Sequence, residues 1–552
     1  MDPLCRFCCR FTNTAPQHRP PTQGEFVSAV VLVLLLALPQ AAPDTVVVCP
    51  DEFREVLQPW LAHRSRQGHV VALVSNADSA DAIRRRIRDA AKGGRLRFVV
   101  LIGDADPTLS RDASVRARCV PAHYAKAEVN VLWGSEPHIA TDNWYADLDD
   151  DEIPELAIGR ITADTAEELG KIVQKILAYE RSNDFGPWRR RLNFVAGVGG
   201  FGPLADQILE SAAQYVLTGR IPPEFRVSMT YGNWRSPYCP DPRLFHATTL
   251  QRFNEGSWFW VYIGHGFHLG LDRVQVPGGD YHILAAADVP KLKCEHAAPV
   301  ALFLACYTGA YDATADCLAE RMLLQDQGPV AVLAGSRVTM PYAMTLLATG
   351  LMDQCFEHRA ATLGEAFLRT KQNMVKEPTE GDQQRAMIDA IAAGISPAPK
   401  KLAVERAEHL LLFNLFGDPL LRLRYPKPVE LEVPATATAG EPLEVRGVSP
   451  VAGRATIELV VHRARLTFKP PDRAEYPQTS GALAELQETY QRANDRCLTS
   501  VELPVENGPF AARLEIPEAA NGACHVRVFV DGADDFASGA ADVKIDTPLT
   551  RR

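Results

Sequence analysis

The chain has 552 residues and a net charge of −10, from 58 Lys and Arg against 68 Asp and Glu. Hydrophobic residues make up 46% and charged residues 23%, a globular balance that excludes a wholly disordered chain, a collagen or a coiled coil. An acidic total without a long basic run carries no electrostatic footprint for nucleic acid, and 12 cysteines are too few for a disulfide scaffold. At roughly 100–200 residues per domain the length predicts about three to five folding units.

The first apolar stretch, residues 26–38, falls short of the roughly 20 residues that span a bilayer. It fits the apolar segment of a signal peptide, closed by the small residues Ala41 and Ala42 and preceded by Arg6, Arg10 and Arg19. Residues 1–42 are therefore expected to direct export, to a secreted, periplasmic or cell-surface location. The mature chain is expected to contain no membrane span. Its removal takes away Cys5, Cys8 and Cys9 and leaves nine cysteines, an odd number that cannot pair completely within one chain.

From residue 44 short apolar runs alternate with helical spacing. Runs at 46–50, 70–74, 98–102, 156–158 and 192–195 are separated by helical patterns at 51–67, 79–92 and 164–181. Apolar runs of this kind read as parallel strands buried in an α/β sheet. The glycine-rich run 197–203 lacks the GxGxxG order of a dinucleotide loop and reads as a strand-to-helix turn. A second α/β round follows: helix 204–217, strand 226–230, helix 243–255, strand 258–263, strand 300–304, helix 316–326, strand 330–333, and several helices between 342 and 413. The α/β material closes over 413–424. Pro426, Pro428, Pro434 and Pro442 then mark a linker. Alternating stretches at 443–445, 455–461, 512–516 and 525–530 predict an antiparallel sandwich of immunoglobulin-like type, interrupted by a helix at 481–494. Cys497 and Cys524 fall in this part, either as a disulfide or as two buried thiols.

Two of the predicted strands end in reactive residues. Tyr262-Ile263-Gly264-His265-Gly266 closes one, and Leu304-Ala305-Cys306-Tyr307-Thr308-Gly309 closes another. In open α/β sheets ligands sit outside the carboxyl ends of the strands. An imidazole beside a thiol can take its proton and later return one to a leaving amine. The backbone N–H groups of Gly266 and Cys306 can form an oxyanion hole. The residues by themselves also fit a small buried thiol and a core histidine.

These motifs resemble those of gingipain-type cysteine peptidases. Gly264-His265-Gly266 resembles the family's histidine motif, Ala305-Cys306-Tyr307-Thr308-Gly309 its nucleophile motif, and Asn414-Leu415-Phe416-Gly417-Asp418-Pro419 the segment that closes the peptidase domain. Thr141–Asp147, Ile158-Gly159-Arg160 and Tyr179-Glu180-Arg181 resemble the middle of the N-terminal subdomain. The resemblance implies a caspase-like α/β/α sandwich in two subdomains, 43–190 and 191–425, with the immunoglobulin-like β-sandwich at 426–552. It implies Cys306 as nucleophile and His265 as general base and acid, acting on a protein or peptide substrate through an acyl-enzyme, with no cofactor required for the chemistry. Transpeptidation of surface proteins on the same fold, or binding by a decayed site, are its alternatives.

The chain departs from the family at Phe267, where a small polar residue is usual, and at Leu271 and Asp272, where an aromatic often shapes the pocket. Residues 198–200 hold no match for the glutamate that supports the histidine. Asp206 falls near the acid that binds the substrate side chain in arginine-cleaving members, a place that favours Arg or Lys. It equally fits an acid favoured in a helix's first turn.

The remaining chemical cluster is 147–155. Asp147, Asp149, Asp151 and Glu155 are spaced to wrap a structural calcium, although Glu152 holds the sixth place, where such loops want glycine. A solvated acidic loop is the other reading. His265, His268, His282 and Cys306 lack zinc-ligand spacing.

Overall fold

The computed structural model describes residues 42–105, 113–198, 219–378, 382–396 and 398–547. Residues 1–41 of the expected leader 1–42, the glycine run beyond 198 and the helix 204–217 with Asp206 lie outside the described residues. Among the described residues no helix is long and apolar enough to cross a membrane.

Ten strands build the central sheet: β1 (Thr45–Cys49), β2 (Val71–Ser75), β3 (Phe98–Ile102), β4 (Ala157–Ile161), β5 (Arg191–Ala196), β6 (Arg226–Tyr231), β7 (Phe259–Ile263), β8 (Val300–Leu304), β9 (Ala331–Gly335) and β10 (Phe413–Phe416). Their order is β2-β1-β3-β4-β10-β9-β8-β7-β5-β6. All neighbours pair in parallel except β9 with β10. The expected parallel sheet is thus two parallel five-strand blocks, β2-β1-β3-β4-β10 and β9-β8-β7-β5-β6, that meet antiparallel at β9 and β10. Strand β10 also joins the two halves, through Phe416 of β10 against Arg160 of β4. The subdomains expected at 43–190 and 191–425 share one continuous sheet.

Helices cover both faces, which is why the strands are apolar without alternation. Val46, Val48, Val99 and Leu101 pack on one face with Ile83 and Ile87 of α2 (Ala80–Ala91), while Val47, Phe98 and Val100 pack on the other with Trp60 of α1 (Gln58–Arg66). On that second face lies α3 (Ala166–Arg181), which starts at a capping box between Thr165 and Glu168. It buries Leu169, Ile172, Val173, Ile176 and Leu177, the three-and-four spacing of an amphipathic helix. Each such side chain contributes about 1.5–3 kcal/mol when fully buried.

Further helices follow: α4 (Phe245–Asn254), α5 (Leu318–Leu324), α6 (Pro341–Phe356), α7 (Leu363–Val375), α8 (Gln383–Ile395) and α9 (Leu402–Leu412). A two-sheet β-sandwich follows: β11 (Pro442–Ser449), β12 (Gly453–Val461), β13 (Cys497–Val505), β14 (Gly508–Glu515), β15 (Gly522–Gly532) and β16 (Phe536–Asp546). The stretch expected as a linker is built into it, because Lys427–Pro428 and Thr436–Thr438 pair with β16 and Glu430–Glu432 pairs with β11. One sheet runs β16-β15-β12-β13 and the other contains β11 and β14. The helix expected at 481–494 is α10 (Ser480–Asn494), between β12 and β13. Asn494 accepts from the Met229 N–H at 2.8 Å and donates to the Met229 carbonyl at 3.0 Å. It thereby occupies backbone groups of β6, the edge strand of the central sheet, and blunts that edge.

The disulfide between Cys497 and Cys524 does not form. Cys497 pairs with Val460 on one side of β12, and Cys524 pairs with Val461 on the other. Two strand spacings, roughly 9–10 Å, separate them, beyond the roughly 7 Å that a disulfide tolerates. All nine cysteines from Cys49 onward are free thiols.

Candidate active site

Strands β7 and β8 are parallel neighbours with Ile263 opposite Leu304. His265 and Cys306 are each the second residue beyond that pair, so they leave the sheet side by side at its carboxyl edge. Both are half-buried. Contact between the two loops is direct. A methyl group at Gly266 would lie 2.7 Å from the Cys306 carbonyl oxygen, 2.8 Å from Ala305 Cβ and 2.9 Å from Thr308 Cγ2. Only glycine fits there, which puts the two backbones, both proposed oxyanion donors among them, in close approach.

The chain turns sharply at the thiol. Tyr307 has φ = 57°, a left-handed conformation that costs a non-glycine residue about 1–3 kcal/mol. The surroundings hold it there. Tyr307 donates its N–H to the Arg337 carbonyl at 3.1 Å, and Gly309 donates to the Gly335 carbonyl at 2.9 Å. Arg337 forks onto Asp312 at 2.8 and 2.5 Å, and the Tyr307 hydroxyl donates to Glu136 at 2.9 Å. A sharp turn after a strand presents the nucleophile to solvent, as other strand-to-turn nucleophiles do.

Behind the sulfur lies Thr339. Its backbone N–H donates to Cys306 Sγ at 3.3 Å, and the thiol donates to the Thr339 carbonyl at 3.6 Å. These two contacts fix the position of the sulfur. The adjacent residue fixes this loop, since the Met340 N–H donates to His409 Nε2 at 2.7 Å. His409 Nδ1 meets the Glu405 carbonyl, also at 2.7 Å. An N–H can only donate and a carbonyl can only accept, so His409 is neutral with its proton on Nδ1. Burial pushes its pKa down to about 4. Neither Thr339 nor His409 is marked by any motif in the sequence.

The backbone at His265 is held from two sides. Its carbonyl accepts from the Tyr262 hydroxyl at 2.9 Å and from the Asp272 N–H at 3.2 Å. Asp272 thus fixes the histidine loop through its backbone. Leu271 is buried and Phe267 is exposed.

The other motif residues serve as framework. Arg160 is fully buried at the centre of the sheet, forked onto Asp142 at 2.9 and 2.7 Å and donating to the carbonyls of Gly103, Asp104 and Val120. The Tyr311 hydroxyl, five residues past Cys306, donates to the same Asp142 at 3.1 Å. Glu180 and Asp418 meet at Arg64, at 2.9 and 2.5 Å.

In the acidic loop, Asp147, Asp149 and Glu155 each bring one oxygen within 4.8 Å of the others. Asp151 is outside that group and accepts from the Ile153 N–H at 2.8 Å. Glu152 has φ = 67°, so the sixth position adopts the conformation glycine would supply. Arg84 donates to Asp147 at 2.9 Å and to Asp150 at 2.7 Å, so a guanidinium already neutralises part of the loop.

A family model for peptidase family C25 matches residues 38–424. The chain is 22% identical over 410 residues to gingipain R2 of Porphyromonas gingivalis, a match covering 71% of this chain and 47% of that protein. It is 22% identical over 304 residues to Lys-gingipain HG66 of the same species, covering 52% of this chain and 15% of the relative. The match therefore spans less than half the length of these curated relatives. The crystal structure of the Arg-specific cysteine proteinase gingipain R superposes with a TM-score of 0.51 at 16% identity, covering 92% of this chain and 99% of the other. That likeness is one of fold: a caspase-like α/β domain followed by a β-sandwich.

Proposed function

The chain belongs to peptidase family C25, and from that membership we propose that it is an exported cysteine endopeptidase working through Cys306 and His265. Cys306 attacks the scissile carbonyl as its proton passes to His265. The N–H groups of Gly266 and Cys306 receive the developing oxyanion. His265 returns the proton to the leaving amine, and water then hydrolyses the thioester to regenerate the thiol. Export is supported by the apolar segment at 26–38. Preference for a basic side chain would rest on Asp206.

The observation that carries the reading is the strand register. Two chain segments about 40 residues apart deliver an imidazole and a thiol to adjacent positions at one sheet edge. The Thr339 N–H at 3.3 Å holds the sulfur in position there.

Cys306→Ala should lower peptide hydrolysis by a factor on the order of 10⁴ or more and abolish labelling by a thiol-directed peptide electrophile. Its circular dichroism should remain that of the parent. Cleavage at the parental rate by the purified variant would reject the assignment.

A further inference from the structure

We propose that His246, His282 and Asp288 form a binding site for a zinc-class divalent ion, separate from the catalytic pair. The three residues come from three elements: the first turn of α4, the end of the hairpin strand Gly279–His282, and the turn Ala286–Lys291. Each offers one ligand atom, and these atoms all lie within 4.8 Å of one another. No sequence spacing announces the set, because the fold rather than a local motif assembles it.

The hydrogen bonds around His246 favour a metal. Its Nδ1 faces the Ile283 carbonyl at 2.9 Å. A carbonyl only accepts, so Nδ1 carries the proton, and in the neutral ring Nε2 is a lone pair. That lone pair faces Asp288 Oδ1 at 3.4 Å. Either a second proton on the imidazole or a cation between them joins this nitrogen to the carboxylate, and a bound ion does the latter. A carbonyl that fixes the tautomer of a histidine whose other nitrogen faces a carboxylate is the outer-shell arrangement of a metal ligand. The 3.4 Å separation also matches a tetrahedral centre with bonds of about 2.0–2.1 Å, whose ligand atoms lie roughly 3.3–3.4 Å apart.

His282 completes the set, with Nε2 on Asp288 Oδ2 at 2.5 Å. In the metal-bound form this contact opens by under an ångström, and His282 turns its Nε2 lone pair to the ion. At present a lysine supplies the charge. Lys291 Nζ donates to Asp288 Oδ1 at 2.8 Å from a side chain that is 56% exposed. Its flexible stem lets it swing into solvent when the ion enters. Two imidazoles and one carboxylate suit zinc rather than calcium or magnesium, and a partly exposed set leaves the fourth position to water.

The site is linked to the catalytic loop. Leu271 donates to the Leu284 carbonyl at 2.8 Å, Ala286 to the Leu269 carbonyl at 2.8 Å, and Asp272 to the His265 carbonyl at 3.2 Å. An ion that clamps 282–288 to α4 therefore rigidifies the segment carrying His265.

The test uses the full chain bearing Cys306→Ala, which removes capture of the ion by the catalytic thiol, with excess calcium present to fill oxygen-rich loops. Titration with Zn2+ should show one tight site per chain and a rise in melting temperature, and Co2+ should give visible bands of tetrahedral intensity. Adding His246→Gln or His282→Gln should weaken Zn2+ at least about tenfold and remove the Co2+ bands. Lys291→Met should tighten it severalfold. Melting of each variant without metal reports its folding. Absence of a tight Zn2+ site in the Cys306→Ala chain would overturn the proposal. So would equal Zn2+ affinity in both folded histidine variants. Neither result depends on peptidase activity, so failure here leaves the peptidase reading standing.

Discussion

At the scale of single residues, the site depends on how closely two backbones approach. Gly266 is held against the Cys306 carbonyl, Ala305 and Thr308, and two of these contacts are with the nucleophile turn itself. In Gly266→Ala the added methyl must push that turn away, because the neighbours are backbone and short buried side chains. A displacement of around 1 Å at a reacting centre costs about 10²-fold. The kcat/KM of Gly266→Ala on a peptide substrate should fall by about that factor, with folding retained. A rate equal to the parent would show that the two loops are not locked together. Cys306 and His265 were legible in the sequence because each follows an apolar run and is flanked by glycine. Thr339 was not, because it acts through a backbone N–H that any residue except proline supplies. Asp151 reads as a fourth calcium ligand by alternation alone, yet its carboxylate turns back to Ile153.

At the scale of elements, α9 controls the loop behind the thiol. His409 sits on its buried face and accepts from Met340, the neighbour of Thr339. Its pKa is lowered by burial from 6.5 to about 4. Between those values the unfolded chain takes up a proton that the folded chain refuses. Stability from this group is thus full above about pH 6.5 and is lost as pH falls towards 4, by on the order of 3 kcal/mol. Denaturant unfolding between pH 4 and 7 should show that slope. His409→Gln can accept from Met340 and donate to Glu405 without titrating, so it should flatten the slope; an unchanged slope would move the effect elsewhere. Element identity was readable where burial is two-sided, as in β1, β3, β7 and β8. Direction was not, and β10 shows why. Phe413–Phe416 follows α9 without a turn signal, and its running antiparallel to β9 but parallel to β4 is set by its neighbours rather than by its own composition. Strand β13 was missed for a different reason. Pro504 lies inside it and argues against a strand, but β13 is the edge of its sheet, where proline is tolerated.

At the scale of the whole molecule, the peptidase domain and the sandwich meet at a buried carboxylate between two guanidinium groups, in addition to the Asn494–Met229 pair and the contacts of Arg463 with the Phe225 carbonyl and of Tyr490 with Thr230 and Arg252. Arg190, at the turn before β5, donates to Glu458 of β12 at 2.9 Å, and Arg527 of β15 donates to the same oxygen at 2.8 Å. Beside them Phe185 packs with Phe529 and Phe536, and Arg190 lies 4.8 Å from the Phe529 ring centroid. Burial alone would raise the Glu458 pKa, but Arg190 and Arg527 more than offset it and hold it at about 2. A carboxyl depressed in the fold stabilises above its unfolded pKa of about 4.3, and that contribution is lost as pH falls from there towards 2. The shift corresponds to on the order of 3 kcal/mol. This window lies below that of His409, so the two groups separate in a single pH series. Glu458→Gln leaves two buried cations facing each other and should cost about 3–5 kcal/mol at neutral pH. It should also remove the slope between pH 4.3 and 2. Since the carboxylate helps to bind the two domains together, its loss should split one cooperative melt into two, with the sandwich released first. A single transition in Glu458→Gln, with the parental acid slope, would show that the remaining contacts hold the joint without the ion triad.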